Sequence, residues 1–275
     1  MAAGVRVPGA ALARAIGERI LCAVSLTGRC GFPHLLASVY GEDVAALVRA
    51  HAPSIAYEKG MEALPVDFRR CREPKCSNGR EEGYVSRSLA GHPVAVFVHV
   101  VDCRGARADA SARCSGDRAG NLYLQYWLYY PDSATLRALP GSAGYHPDDW
   151  ESFQVRIGPD GETDVRASSH HGFNHERGMR NWASDADIPV LEQVVEKAGV
   201  RSAAGWGPET GWLYVSGGSH AGSARGNPRD VGRVTPRSRL RLIALEPLAG
   251  RLPPFVVAPP WMKEVWTDPE AEGTS

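Results

Sequence analysis

The chain has 275 residues, with 31 Lys and Arg against 31 Asp and Glu. It is long enough to bury a sizeable core, and its balanced charge gives no electrostatic case for a nucleic-acid groove or an anionic membrane surface. Thirty Gly and twenty Pro, with aromatics set in short apolar runs, imply many turns and a β-rich body.

In chain order, Ala10 to Val24 reads as a helix with Leu12, Ile16, Ile20, Leu21 and Val24 on one stripe. Arg14, Glu18 and Arg19 interrupt the stretch where a secretion signal would hold its apolar core, and no run in residues 1–30 is long enough to span a bilayer. Six cysteines lie at positions 22, 30, 71, 76, 103 and 114. If oxidised they favour a secreted or cell-envelope setting, with Cys71–Cys76 and Cys103–Cys114 as the short-range pairs. A zinc site built from those four is the alternative, although their spacings match no common zinc module.

Gly41 to His51 reads as a second short helix carrying Val44, Leu47 and Val48, stopped by Pro53. Ala63 to Phe68 is a short extended segment, and the charged, Gly-bearing residues 77–91 form a surface loop. Pro93 to Val101 is a strand, in which His99 is read as a satisfied face residue and not a ligand. Leu122 to Tyr130 is apolar or aromatic on both faces, as expected of a central strand buried on both sides. Pro131-Asp132-Ser133 should then turn the chain out of the sheet, with a loop over 133–147.

The next stretch is Tyr145-His-Pro-Asp-Asp-Trp-Glu151, running into Ser152 to Ile157. Alternation from Trp150 onward predicts a half-buried strand, with Phe153, Val155 and Ile157 on one face and Trp150, Ser152, Gln154 and Arg156 on the other. Asp149 and Glu151 then share the face of Phe153. Two carboxylates side by side on a partly desolvated face call for a shared cation or proton. An Arg partner or a surface bulge is the plain reading, and a divalent metal site the sharper one.

Gly158 to Gly161 predicts a tight turn into a partner strand, Thr163 to Ser169, which ends in Ser168-Ser-His-His-Gly172. Asp187 as N-cap, Pro189 in the first turn and Gly199 at C′ predict an inserted helix over 187–198. Trp212 to Val215 is a strand running into Ser216-Gly-Gly-Ser-His-Ala-Gly222, where glycines permit close backbone approach with His220 at the rim. Arg239 to Leu245 and Phe255 to Val257 are the last strands, and the acidic tail 267–275 should fray. The expected organisation is a helical segment over 1–52, one β domain over 53–266, and the tail.

These motifs resemble two known patterns. Necrosis- and ethylene-inducing peptide-like proteins carry G-H-R-H-D-W-E entering a strand, after an aromatic strand ending near M-P-K-D-S. The matching residues are Tyr130-Pro-Asp132-Ser133 and Tyr145-His146-Pro147-Asp148-Asp149-Trp150-Glu151. A plant and fungal vacuolar-protein-sorting-related family is similar over D-W-E, then S-x-H near a glycine, then G-S-H-A; compare Ser169-His170-His171-Gly172 and Gly218-Ser219-His220-Ala221. The resemblance spans residues 121–222 and looks like that of an actinobacterial member.

It implies a mainly β fold, an antiparallel β-sandwich with peripheral helices, holding a divalent cation at one end. By position the implied metal ligands are Asp132, His146, Asp149 and Glu151, and the implied ligand-binding rim is Asp148, His170, His171, Ser219 and His220. Three carboxylates and one His suit Mg²⁺ or Ca²⁺ better than Zn²⁺ or Cu²⁺. Tyr145, Pro147 and Asp148 depart from the family's Gly, Arg and second His, so the ligand positions survive in a different loop, and membrane activity like the family's is a special case of the binding reading and not implied by the ligands alone. The function implied is a cation-dependent module that recognises a glycan or a lipid head group. The alternatives are a metal-assisted hydrolase of phosphate or glycosidic esters, and a structural domain with no catalysis. Against an enzyme, the sequence has no nucleophile elbow, P-loop, dinucleotide fingerprint or H-E-x-x-H.

Overall fold

A computed structural model of the chain describes residues 33–61, 63–69, 94–105, 108, 110–134, 145–169, 172–173, 183–184, 212–223, 231–249 and 255–272. The expected helices over 10–24 and 187–198, the four cysteines upstream of Cys103, and both His170 and His171 lie outside these residues. Two α-helices are described, α1 (Pro33–Tyr40) and α2 (Glu42–Ala50). The second is the helix expected from the sequence, and the first has no counterpart in that reading. Gly41 joins them at φ 83, a backbone setting open to glycine, and receives the end of α1 through its N–H on the Ala37 carbonyl (2.9 Å).

The strands, in chain order, are β1 (Ser54–Glu58), β2 (Ala95–Asp102), β3 (Leu122–Ala134), β4 (Tyr145–Ile157), β5 (Thr163–Ser169), β6 (Gly172–Phe173), β7 (Ala183–Ser184), β8 (Trp212–Val215), β9 (Gly222–Ser223), β10 (Val231–Thr235) and β11 (Arg241–Ala244). They form two packed sheets. The smaller has the order β10-β1-β8-β9, and the larger β11-β2-β3-β4-β5-β6 with β7 also on β5. Most pairings are antiparallel, but β1 runs parallel to β8 and β11 parallel to β2. The fold is therefore a β-sandwich of mixed sheets with peripheral helices.

The aromatic run of β3 explains the layering. Leu124, Tyr126, Leu128 and Tyr130 face the space between the sheets, where they meet Phe153 and Val155 of β4, Ile55 and Tyr57 of β1, Leu213 and Val215 of β8, and Val44 and Val48 of α2. Trp127 and Tyr129 face the opposite way, into a second core with Phe97, Trp150, Phe68 and Val265. Both faces of the larger sheet are thus buried, as the sequence of β3 required. Two features differ from expectation. Strand β3 does not leave the sheet at Pro131 but continues through Asp132 and Ser133, which pair with Pro147 and His146 of β4. A proline is tolerated here because the following backbone still finds its ladder partners on one side.

Strand β4 is also not half-buried, since Ser152 and Gln154 are about as inaccessible as Phe153. The cover is residues 255–272, which cross the outer face of the sheet without forming a strand. Gln125 donates to the Val265 carbonyl (2.8 Å), and fully buried Arg166 donates to the Pro269 (2.6 Å) and Ala271 (3.1 Å) carbonyls and to Gln154 Oε1 (2.9 Å). Residues 267–272 are therefore anchored and not frayed. Just past the end of β2, Cys103 is joined to Cys114 by a disulfide, as one of the short-range pairs expected. His99 is buried in the sheet, between Glu246 Oε1 (2.7 Å) and the Trp266 carbonyl (3.0 Å), and stacks on Trp266. It is a satisfied core residue.

Candidate functional site

The site sits where β3 ends and β4 begins. The pairing register places Leu128 opposite Glu151, Tyr130 opposite Asp149, and Asp132 opposite Pro147. Directly opposed residues of an antiparallel pair share a face. Tyr130, Asp149 and Glu151 therefore look into the space between the sheets, and Asp132, Asp149 and Glu151 are each buried.

The third wall comes from the smaller sheet. Strand β8 turns back into β9 through Ser216 to Ala221, closed by the Ser216 N–H on the Ala221 carbonyl (3.0 Å). This loop is held from both sheets. Its Gly217 N–H donates to Glu58 Oε2 of β1 (2.6 Å), and its Gly218 carbonyl accepts from Ser133 Oγ of β3 (3.3 Å). His220 sits in the loop at φ 56, a setting unusual for a side-chain-bearing residue, and is completely buried. It points inward instead of lying at a rim. Its Nδ1–H donates to Asp149 Oδ2 (2.8 Å), and its ring stacks on Tyr130 with centroids 3.9 Å apart. His220 Nε2 and the Tyr130 hydroxyl are both buried with no hydrogen-bond partner among the described residues.

Glu151 is held from β5. Ser168 Oγ accepts the Ser152 N–H (2.6 Å) and donates to Glu151 Oε2. Burial, and next the Asp149 carboxyl, push Glu151 well above the usual carboxylate range; the Ser168 hydrogen bond and the Lys263 charge oppose them. Burial also raises Tyr130, reinforced by Tyr57 and by both carboxyls, so its hydroxyl keeps its proton and can donate. Lys263, on the covering segment, is lowered by burial and supported by Glu151 and Asp149.

The remaining expected residues fall differently. His146 Nε2 lies 3.9 Å from Asp149 Oδ1, and His146 and Pro147 are half-exposed, so this is the solvent side of the acidic pair. Ser219 lies in the β8–β9 loop and bonds Ser216 Oγ (3.2 Å), which makes it part of the loop's own frame. Asp148 faces away from Asp149, accepting from the Tyr129 hydroxyl (2.8 Å) and the Val256 N–H (2.8 Å) on the outer side of the sheet. Tyr130, Ser168, Glu58 and Ser133 join the site without having been singled out in the sequence. Tyr130 could have been found by carrying the β4 alternation across to β3. Ser168 could have been found by carrying the register across the predicted hairpin to β5, whereas Glu58 could not, because its role arises from a contact between β1 and a loop distant in the chain.

Among the described residues no three His, Cys, Asp or Glu side chains gather at metal-binding spacing. The donor chemistry nevertheless fits a hard ion: two carboxyls share a face, one has its charged form disfavoured, and His146 borders them. Mg²⁺ in particular is commonly held by one or two carboxylates with water completing its shell.

No protein-family model matches the chain, and neither does any curated protein. Several solved structures do. One is NLPPya in complex with mannosamine, 17% identical, with a TM-score of 0.40 over 74% of this chain and 74% of that chain. Another, presented as a toxin fold for microbial attack and plant defense, is 15% identical, with a TM-score of 0.41 over 74% and 75%. NLPPya in complex with glucosamine is 16% identical, with a TM-score of 0.39 over 74% and 73%. Overlap of this degree leaves room for different loops and different chemistry, and function is decided by the side chains themselves.

Proposed function

We propose that the chain is a divalent-cation-dependent binding module, with Mg²⁺ or Ca²⁺ held by Asp149 and Glu151 and bordered by Asp132 and His146. The observation that carries this reading is the acidic pair itself. Two carboxyls are buried on one face of β4, and burial, with the Asp149 carboxyl beside it, makes ionisation of Glu151 unfavourable. A bound divalent ion would supply the compensating charge and offer exchangeable water positions to hydroxyl or phosphate oxygens, the chemistry of a glycan or a lipid head group. Asp149 is oriented by His220 and Glu151 by Ser168, which fixes the direction of both carboxyls. His146 stands on the open side, within reach of an incoming polar group.

One observation favours a second reading, a metal-assisted hydrolase of phosphate or glycosidic esters. Asp149 holds His220 through Nδ1 and leaves Nε2 with no partner among the described residues, which is the arrangement of an oriented base. The two readings separate in one experiment. A glycan and lipid array is run beside phosphodiester and glycoside substrates, with wild type and Glu151→Gln, in Mg²⁺, Ca²⁺ or chelator. Saturable, cation-dependent binding without turnover is expected. Cation-dependent turnover that falls by ~10²-fold or more in Glu151→Gln would establish the hydrolase instead.

A further inference from the structure

Asp148 stands next to the acidic pair in the sequence, yet its carboxyl is bonded on the opposite face of β4. Both of its carboxyl oxygens are engaged on the outer side of the larger sheet, Oδ1 by the Tyr129 hydroxyl and Oδ2 by the Val256 N–H, each at 2.8 Å. Tyr129 belongs to the outer aromatic core, and Val256 lies near the start of the covering segment 255–272, whose Phe255 and Trp261 pack around Trp150. Asp148 is also one of two described residues other than glycine with positive φ, at 58, the second being His220, which bonds its neighbour Asp149. A left-handed residue inside a strand persists only when its surroundings hold it there. Here a hydroxyl and a backbone N–H from the face opposite the site hold its carboxyl.

We infer that Asp148 is a positioning residue for the acidic pair, a clamp through which the covering segment on one face of β4 sets the direction of Asp149 on the other. The backbone torsions of Asp148 determine the orientation of the peptide leading into Asp149. If the two outer bonds are lost, Asp148 relaxes toward the extended form, that peptide rotates, and the Asp149 carboxyl moves off His220 Nδ1. The effect on the cation rests on the binding reading above. The effect on the Asp149–His220 bond does not.

The test uses the full-length protein and three variants. Tyr129→Phe removes one clamp bond and keeps the ring in its core. Asp148→Gly removes both bonds and leaves a residue with no preference for the sign of φ. Asp148→Asn tolerates the left-handed setting and keeps one acceptor oxygen. The first readout is the NMR resonance of the His220 Nδ1–H proton, which reports the bond to Asp149 whether or not an ion binds. The second is the midpoint of a Mg²⁺ titration.

The His220 resonance should shift in Tyr129→Phe and shift further or vanish in Asp148→Gly, with Asp148→Asn restoring it toward wild type. Arg118→Ala, a perturbation of the covering segment remote from Asp148, should leave it in place. The Mg²⁺ midpoint should rise by about tenfold or more in Asp148→Gly, the usual scale for an outer partner of a metal ligand. A wild-type resonance in both Tyr129→Phe and Asp148→Gly would overturn the inference, and Tyr129→Phe alone decides it if the glycine variant does not fold. If the wild type binds no Mg²⁺, the cation reading fails while the His220 resonance still decides the clamp.

Discussion

A single missing side chain lets the two sheets meet beside the site. A Cβ built on Gly222 would lie 3.0 Å from the Ser168 carbonyl oxygen, 3.0 Å from Leu213 Cδ1 and 3.1 Å from Ala167 Cβ. The Ser168 oxygen is backbone within β5 and cannot yield cheaply, so Gly222→Ala must push β9 away from β5. The expected cost is about 1–3 kcal/mol, measured by denaturant unfolding. Ser168→Ala tests the other side of the same contact. It strands the buried Ser152 N–H and removes a donor from Glu151, with an expected loss of about 1–3 kcal/mol, and a wild-type midpoint for either variant would contradict the packing described. At this scale the sequence was informative where chemistry is local. The glycines of the 216–222 loop announced close approach, and strand alternation put Asp149 beside Glu151. It placed His220 at a rim and missed its inward turn, which depends on a positive φ and on bonds from Glu58 and Ser133, residues far away in the chain.

The covering segment is the element that sequence patterns do not reveal. Residues 255–272 form no strand, against the one expected over Phe255 to Val257, and their hold on the sheet comes from side chains of other strands reaching their carbonyls. An acidic tail therefore looked free when it was in fact paired. Asp268 is bonded by Arg118 Nε (2.7 Å) and Arg113 Nη1 (3.2 Å), and Glu270 by Arg156 Nη1 (3.1 Å) and the Tyr123 hydroxyl (2.8 Å). Burial alone would raise the Asp268 carboxyl, but the Arg118 hydrogen bond, the Glu270 N–H and the nearby guanidinium charges outweigh it and hold the group below the usual range. The folded chain thus binds fewer protons at this carboxyl than the unfolded chain. Its stabilisation is present above the unfolded value of about 3.9 and is lost as pH falls through the lower folded value. Melting temperatures between about pH 5 and pH 2 should fall less steeply in Asp268→Asn than in wild type. Parallel curves would mean that Asp268 is not protonated differently on folding.

At the scale of the whole molecule, the acidic pair lies at the junction of the two sheets. Asp149 belongs to the larger sheet, and the His220 that binds it belongs to a loop of the smaller one, itself tied to Glu58 and Ser133. Folding brings these groups together and so brings two carboxyls into mutual repulsion in a buried place, a cost that an unfolded chain does not bear. An ion that binds only the assembled pair must therefore stabilise the entire sandwich. At a free concentration about a hundredfold above its Kd the gain is roughly 2.7 kcal/mol, a rise in Tm of about 5–10 °C for a chain of this size. Asp149→Asn and Glu151→Gln keep the shapes but remove the charge. Each should abolish that rise, and Glu151→Gln should also leave the ion-free protein as stable as wild type or more so, because the repulsion is gone. Calorimetric melts in Mg²⁺, in Ca²⁺ and in chelator provide the comparison. A wild-type Tm indifferent to all three would remove the cation from the reading and leave the pair with a shared proton, the other solution that two neighbouring carboxyls have.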